Sequence, residues 1–320
     1  MSQSLAEYAE SLAARPGLIW PKPPAVRPIQ ATPTLKPLGN VRAVAWNLYG
    51  TLLRIDTGQL HLLHPQPLRM QVALQKTIDE FRMWHSMSRK PGQPWEYLLQ
   101  QYTALIEGAQ LTSPARKGDI PQVDATAIWD KLIERLERNE YQWDRDKLGD
   151  RADLALKVAY FFHTSLQGVA PADGAAEVLT RLATGRVRQA LLSDAQSFSE
   201  VQTLRAFSDQ RNIPPVRQIW RSPCSVVSIV TGVRKPSNSM FETAVQQWRD
   251  GGLEPSQVLY VSHQLRDDLA VARRWGFRTA LVVADANCTQ VDKQDVRSTE
   301  LRPDRLLTDL RQIVDLLTID

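Results

Sequence analysis

Val41–Leu53 reads V-R-A-V-A-W-N-L-Y-G-T-L-L. Apart from Arg42, the run from Val41 to Trp46 is apolar and rich in strand formers, and a run so short suits a central strand of a parallel sheet. Asn47 then falls at the carboxyl end of that strand, where open α/β sheets place their ligands. Gly50 lets the backbone turn tightly after Tyr49. Working outward, residues 169–320 alternate helix and strand patterns, the signature of a doubly wound, mostly parallel α/β sheet. The expected strands are Arg188–Ser193, Val216–Trp220, Gln257–Ser262 and Arg278–Val283. Helices are expected over Ala172–Ala183, Ser197–Arg211, Asn238–Trp248, Asp267–Trp275 and Arg305–Leu317.

Residues 54–168 read differently. Met70–Trp84, Trp95–Ile106, Ala125–Leu136 and Leu148–Leu166 place apolar side chains at helical spacings, and the last has the look of a broken helix. P-G-Q-P and S-P-A-R-K-G-D between them are turn chemistry. Four amphipathic helices without a strand signal predict an all-helical insert, its aromatic stripe forming the insert's core. Residues 1–40 hold a short helix over Ser4–Ala14, followed by seven prolines from Pro16 to Pro37. Proline at that density favours extended chain. The arm is expected to be loose, to lie along the core on Leu18, Ile19 and Trp20, or to bind a protein partner through them. The organisation is therefore 1–40, a Pro-rich N-terminal extension; 41–53, the first strand and its motif; 54–168, the helical insert; and 169–320, the rest of the core.

Composition narrows the function classes. The 320 residues are 43% hydrophobic and 23% charged, ordinary for a soluble globular protein. A formal net charge of +4 is too small to argue for a nucleic-acid partner. Cys224 and Cys288 are distant from each other, which suggests neither a disulfide framework nor a zinc site and fits a reducing, cytoplasmic setting. No apolar run approaches the roughly 20 residues of a membrane span. The acidic start M-S-Q-S-L-A-E-Y-A-E lacks the apolar segment of a secretory signal.

Four stretches carry the chemistry. N-L-Y-G-T-L at 47–52 resembles the first motif of the haloacid dehalogenase-like (HAD) hydrolase superfamily, in which an Asp heads an Asp-x-x-Gly-Thr-Leu turn; here that Asp is Asn47. L-L-S-D supplies Ser193 for the second motif, and R-K-P-S-N supplies Lys235 for the third. V-L-Y-V-S-H-Q-L-R-D-D-L has the surroundings of the fourth, with His263 where a phosphatase has a metal-binding Asp, and Asp268 as the later acid. The resemblance spans about residues 41–320. It implies a Rossmann-like core with the helical insert as a cap over the cleft.

The resemblance also implies a reaction, and two residues do not meet its demands. The family's carboxylate attacks the substrate and water hydrolyses the resulting acyl intermediate. Phosphatase branches hold Mg²⁺ with that carboxylate, a backbone carbonyl two residues on and a fourth-motif acid. Asn47 is a neutral amide and a poor nucleophile, though it can donate and accept hydrogen bonds. His263 is a poor magnesium ligand that suits zinc better. Tyr49 matches the dehalogenase branch, which needs no metal but still needs the carboxylate. The expectation is a pseudoenzyme with weak or absent Mg²⁺ binding. It keeps an anion pocket from Ser193, Lys235 and the turn amides after Asn47 for a small phosphorylated ligand, or acts through its arm and insert as an interaction module. The competing expectation is an active hydrolase in which Asp194, Asp267 or His263 takes over. Asn47, Ser193, Lys235 and His263 are expected to converge on one cleft under the insert. Their competing structural roles are turn capping for Asn47, helix capping for Ser193 and Asp268, a surface position for Lys235 and a satisfied polar role for His263.

Overall fold

A computed structural model describes residues 2–87, 92–112, 116–210, 214–289, 291 and 293–317. Ten strands occur among them: β1 Ala43–Trp46, β2 Leu53–Ile55, β3 Ile120–Pro121, β4 Val169–Pro171, β5 Arg188–Ser193, β6 Val226–Val227, β7 Val233–Arg234, β8 Val258–Ser262, β9 Arg278–Val282 and β10 Arg305–Leu307. Six form one sheet in the order β10-β9-β8-β1-β5-β6, and every pair in it is parallel. β1 sits between β5 and β8, with Trp46 in register with Leu191 and Val261. That register brings the carboxyl ends of three strands side by side, which puts Asn47, Ser193 and Ser262 in one place.

β1 is buried on both faces, as a central parallel strand must be. Alternation sorts its side chains. Ala43 and Ala45 meet Phe241, Trp248 and Tyr260 on one face, while Val44 and Trp46 meet Leu179, Leu182 and Phe207 on the other. The indole N–H of Trp46 donates to Gln189 Oε1 at 3.1 Å, so its one polar atom is satisfied.

The insert is mainly but not wholly helical: against the expectation of an all-helical insert, β3 Ile120–Pro121 lies within it and pairs with β7. After α1 (Leu5–Ala13) of the arm come α2 (Pro67–Glu80), α3 (Pro94–Thr112), α4 (Ala125–Glu137), α5 (Arg145–Leu148) and α6 (Arg151–Leu166). Met70, Ala73, Leu74, Thr77 and Ile78 form the buried stripe of α2. Trp84 was expected to extend that stripe but is 48% exposed. The helix stops at Glu80, Arg82 takes a left-handed φ of 54°, and the 3₁₀ turn Met83–Met87 buries Met83 and Met87 instead. Val72 is likewise exposed. The helix expected to break within Leu148–Leu166 instead runs unbroken as α6 over Arg151–Leu166; the interruption lies before it, where Gly149 has a φ of +87° and Asp150 caps the helix.

β2 and β4 pair as an antiparallel ribbon that carries the chain out to the insert and back. Two expectations about the core need correction. Val216–Trp220 is helical, not a strand: Pro214 and Pro215 precede it and set up a helical start. The edge strand is Val226–Val227. Arg305–Leu317 is not one helix either; it begins as β10, then forms a 3₁₀ turn over Leu310–Gln312 and a helix over Ile313–Leu316.

The arm is docked. Ser4 caps α1 through a capping box, and Tyr8, Ala9 and Leu12 are buried in the insert's core. Trp20 packs edge-on against Phe161 at 5.3 Å and Leu18 is partly buried, but Ile19, the third expected anchor, is 78% exposed. Farther on, Thr34 N donates to Leu306 O and Leu38 N to Leu316 O, both at 2.8 Å, so the extended stretch follows the outer edge of the sheet. Among the described residues no helix is long and apolar enough to cross a membrane.

Candidate functional site

Asn47 is the hub of the site. Its backbone N–H donates to Val261 O at 3.0 Å, continuing the sheet one residue past β1. Its side-chain oxygen accepts from Lys235 Nζ at 2.8 Å and from Ser193 Oγ at 3.0 Å. Its side-chain nitrogen donates to Tyr49 O at 2.8 Å and lies 3.3 Å from both Thr51 Oγ1 and His263 Nδ1. The ammonium of Lys235 has only donors, so the amide atom facing it must be the oxygen. The amide thus caps the turn and engages the third-motif lysine at once.

Lys235 is not a surface lysine. Its side chain is 3% exposed, and Nζ donates to Asn47 Oδ1, to Asp268 Oδ2 at 2.7 Å and to the Tyr260 hydroxyl at 3.1 Å. Three partners account for its three hydrogens. Asp268 does not cap the following helix; it sits inside a π-turn over Leu265–Leu269, where Oδ2 also accepts from Ser262 Oγ. Ser193 does not cap a helix either: it accepts from Leu48 N at 3.0 Å and holds Asn47 from behind, fully buried. Burial raises the Tyr260 hydroxyl's pKa, and the neighbouring Asp268 carboxylate raises it further.

His263 stands apart. Its backbone N–H donates to Thr51 Oγ1 at 3.1 Å and its ring Nδ1 faces Thr51 and Asn47, which leaves the ring hydrogen on Nε2. The ring packs against the backbone of Gly50 and Gly58: a Cβ on either would lie within 2.5 Å of an imidazole atom. Both glycines have left-handed φ, +79° and +73°. Burial pulls the imidazole pKa down to about 4 against the opposing pull of the Asp268 carboxylate, so the ring is neutral at pH 7.

Between insert and core lies a cleft of about 520 Å³. Asn47, Asp194, Arg234, Lys235 and Asp267 line its core side. Leu60, Leu62, Leu63, Ile106 and Val123 line its insert side. Of the four residues expected to converge there, Asn47 and Lys235 reach it. Ser193 lies behind them, and His263 faces a second cavity of about 210 Å³ beside Arg54 and Cys288. All four meet around the Asn47 amide, not in the cleft. Tyr49 also lines the cleft, but its hydroxyl is spent inward on Ser199 Oγ at 2.8 Å and Gln202 Oε1 at 2.6 Å.

Sequence reasoning missed Thr51, Tyr260 and Arg234. Thr51 belonged to the quoted Gly-Thr pair, yet its contact with His263 crosses 212 positions. Tyr260 reads as an apolar strand residue until its hydroxyl is seen facing Asp268. Arg234 lies on β7, which pairs with β3 of the insert, Arg234 opposite Ile120. That ribbon fixes the arginine at the mouth of the cleft.

The magnesium that the resemblance implies does not fit this donor set. The Tyr49 carbonyl faces an amide N–H₂ group, and the fourth-motif position offers an imidazole instead of a carboxylate. Among the described residues no three His, Cys, Asp or Glu side chains converge on a point that could hold a metal.

A family model described as HAD-hydrolase-like matches residues 232–313. No curated protein matches the sequence. The 2-haloacid dehalogenase of Pseudomonas syringae pv. Tomato DC3000 superposes with a TM-score of 0.51 at 19% identity, over 86% of this chain and 97% of that one. A HAD phosphatase from Thermococcus onnurineus matches with a TM-score of 0.47 at 11% identity, over 88% of this chain and 99% of that one. At such identities the likeness is one of fold. Residues 232–313 thus resemble a HAD-hydrolase-like segment, and the sheet order with an insert after the first strand is a fold shared with the Pseudomonas syringae dehalogenase.

Proposed function

We propose that this HAD-like protein binds a small anionic ligand in the cleft under its insert and does not run the family's covalent hydrolysis. The observation that carries this reading is the locked amide of Asn47. The nitrogen lone pair of a carboxamide is delocalised and its oxygen carries no negative charge, so it is a poor nucleophile, and both ends of this one are held by hydrogen bonds. Lys235 supports the site's architecture more than it meets a ligand, because its hydrogens are committed and Asp268 balances its charge. Arg234 is the cation that a ligand meets: it is exposed on the cleft's rim and held there by the β3–β7 ribbon. The insert wall opposite it mixes Leu60, Leu62 and Ile106 with His61, Gln110 and Gln122, which suits a ligand with both polar and apolar parts.

A thermal-shift screen of phosphate, phosphosugars, nucleotides and small carboxylates tests this. At least one should raise the melting temperature of the protein, and Arg234→Ala should abolish that shift with the unliganded melting temperature unchanged. A generic phosphate ester and a 2-haloacid should not be turned over, with or without Mg²⁺.

A hydrolytic reading has one specific support, Asp194. This carboxylate lines the cleft, accepts from Lys235 N at 3.0 Å and has its pKa raised by burial, as a general base requires. Turnover that survives Asn47→Ala and disappears in Asp194→Asn would select it.

A further inference from the structure

We infer that the amide nitrogen of Asn47 stands in for a cation, and that positions 47 and 263 form a matched pair closing this site to divalent metal. Three acceptors surround that nitrogen: Tyr49 O at 2.8 Å, Thr51 Oγ1 at 3.3 Å and His263 Nδ1 at 3.3 Å. Such a ring of lone pairs is what a bound cation would otherwise hold together. The N–H₂ group supplies two hydrogens from within the chain and the Thr51 hydroxyl, 3.2 Å from His263 Nδ1, supplies the third, so the three acceptors are satisfied without a bound ion.

The two positions depend on each other. A carboxylate at 47 would keep its bonds to Lys235 and Ser193, but its second oxygen would face the Tyr49 carbonyl at the present 2.8 Å. Like partial charges at that distance repel, and only a proton or a cation between them relieves it. An Asn at 47 next to an Asp at 263 would add a carboxylate beside Asp268 in a buried site. The neutral imidazole adds no charge and accepts from the Thr51 hydroxyl. Asn47 with His263 is therefore self-consistent without metal, and Asp at both positions is self-consistent only with one. The inference shares its view of Asn47 with the proposed function, but it concerns metal and not turnover.

The test is the thermal unfolding of the full chain in EDTA and in millimolar Mg²⁺. The unsubstituted protein should show the same melting temperature in both. Asn47→Asp and His263→Asp should each melt lower than the parent. The variant carrying both should gain roughly 5 °C or more from Mg²⁺, rising with its concentration. A Mg²⁺-dependent rise in the unsubstituted protein that His263→Ala removes would overturn the inference. So would a folded double variant indifferent to Mg²⁺. If the double variant does not fold, Mn²⁺ as a paramagnetic probe of the unsubstituted protein still decides. The Asn47 side-chain amide resonances should stay sharp, and their selective broadening would contradict the pairing. Metal-free turnover of an ester would reject the proposed function and leave this inference standing.

Discussion

Asp268→Ala is expected to lower the stability of the protein by about 3–5 kcal/mol, the range for stripping one partner from a buried ion pair. The cost arises at Lys235. Its ammonium is 3% exposed and would keep only Asn47 Oδ1 and the Tyr260 hydroxyl, two neutral acceptors, for a full positive charge. Desolvation without a counter-charge is what makes such sites expensive. One orphaned donor, Ser262 Oγ, would add to it, whereas the Tyr260 hydroxyl keeps Leu192 O as its acceptor. Against a total stability of roughly 5–15 kcal/mol for a typical domain, this is a large fraction. The midpoint of urea unfolding at pH 7 measures it. The double change Lys235→Met with Asp268→Leu should cost less than Asp268→Ala alone, since it removes both charges together. If Asp268→Ala were neutral, the pair would not hold the site in the way described.

Gly168→Val should release the N-terminal arm. A Cβ on Gly168 would lie 2.3 Å from Pro21 O, 2.4 Å from Lys22 C and 2.6 Å from Pro23 N. All three are backbone atoms, so no side-chain rotation relieves the clash. The arm must lift where it crosses the return into the core, just before β4. Overpacking of this kind costs typically 1–3 kcal/mol. Hydrogen exchange of residues 2–25 should therefore speed up by about tenfold or more, each tenfold being about 1.4 kcal/mol. Protection that stays at the parent's level would show that the arm is not seated against Gly168. The crossing matters for the cleft because α1 packs on α6 of the insert and on the helix Ser199–Phe207 of the core. Hydrogen bonds add to this link: Gln196 of the core accepts from Ala125 N at 2.9 Å and donates to Val123 O at 3.0 Å. The insert is thus held to the core from two sides.

Much of this was legible in the sequence, for identifiable reasons. The buried run Ala43–Trp46 and the strands Arg188–Ser193 and Gln257–Ser262 each hold a short apolar core ending at a polar turn, and their place in an alternation of helix and strand patterns marks them as strands of a parallel sheet. The insert's helices announce themselves by period, as with Ile128, Trp129, Leu132, Ile133 and Leu136 on α4. Short apolar runs carry no period. Val216–Trp220 could be read either way, and the two prolines before it decided for helix. Arg305–Leu307 lies on the sheet edge, where half-burial leaves no pattern to separate it from the helix that follows.

The site divides along the same line. Asn47, Ser193 and Lys235 were found because strand ends and motif spacing place them, and the structure brings them within 3.0 Å of one amide. The direction of a side chain is not written in spacing. His263 falls at a strand end like the others, yet its ring turns beneath Gly50 and Gly58, to the far side of the turn. The use of all three Lys235 hydrogens depends on Tyr260 and Asp268, whose geometry only the fold assembles.

The central claim is that the side chain at position 47 forms no covalent intermediate. The direct measurement is the mass of the tryptic peptide Ala43–Arg54 after incubation with a phosphate ester or a 2-haloacid, with and without Mg²⁺, followed by rapid acid quench. The account predicts the unmodified peptide with Asn47 intact under every condition. A phosphoryl or alkyl adduct on Asn47 would contradict it.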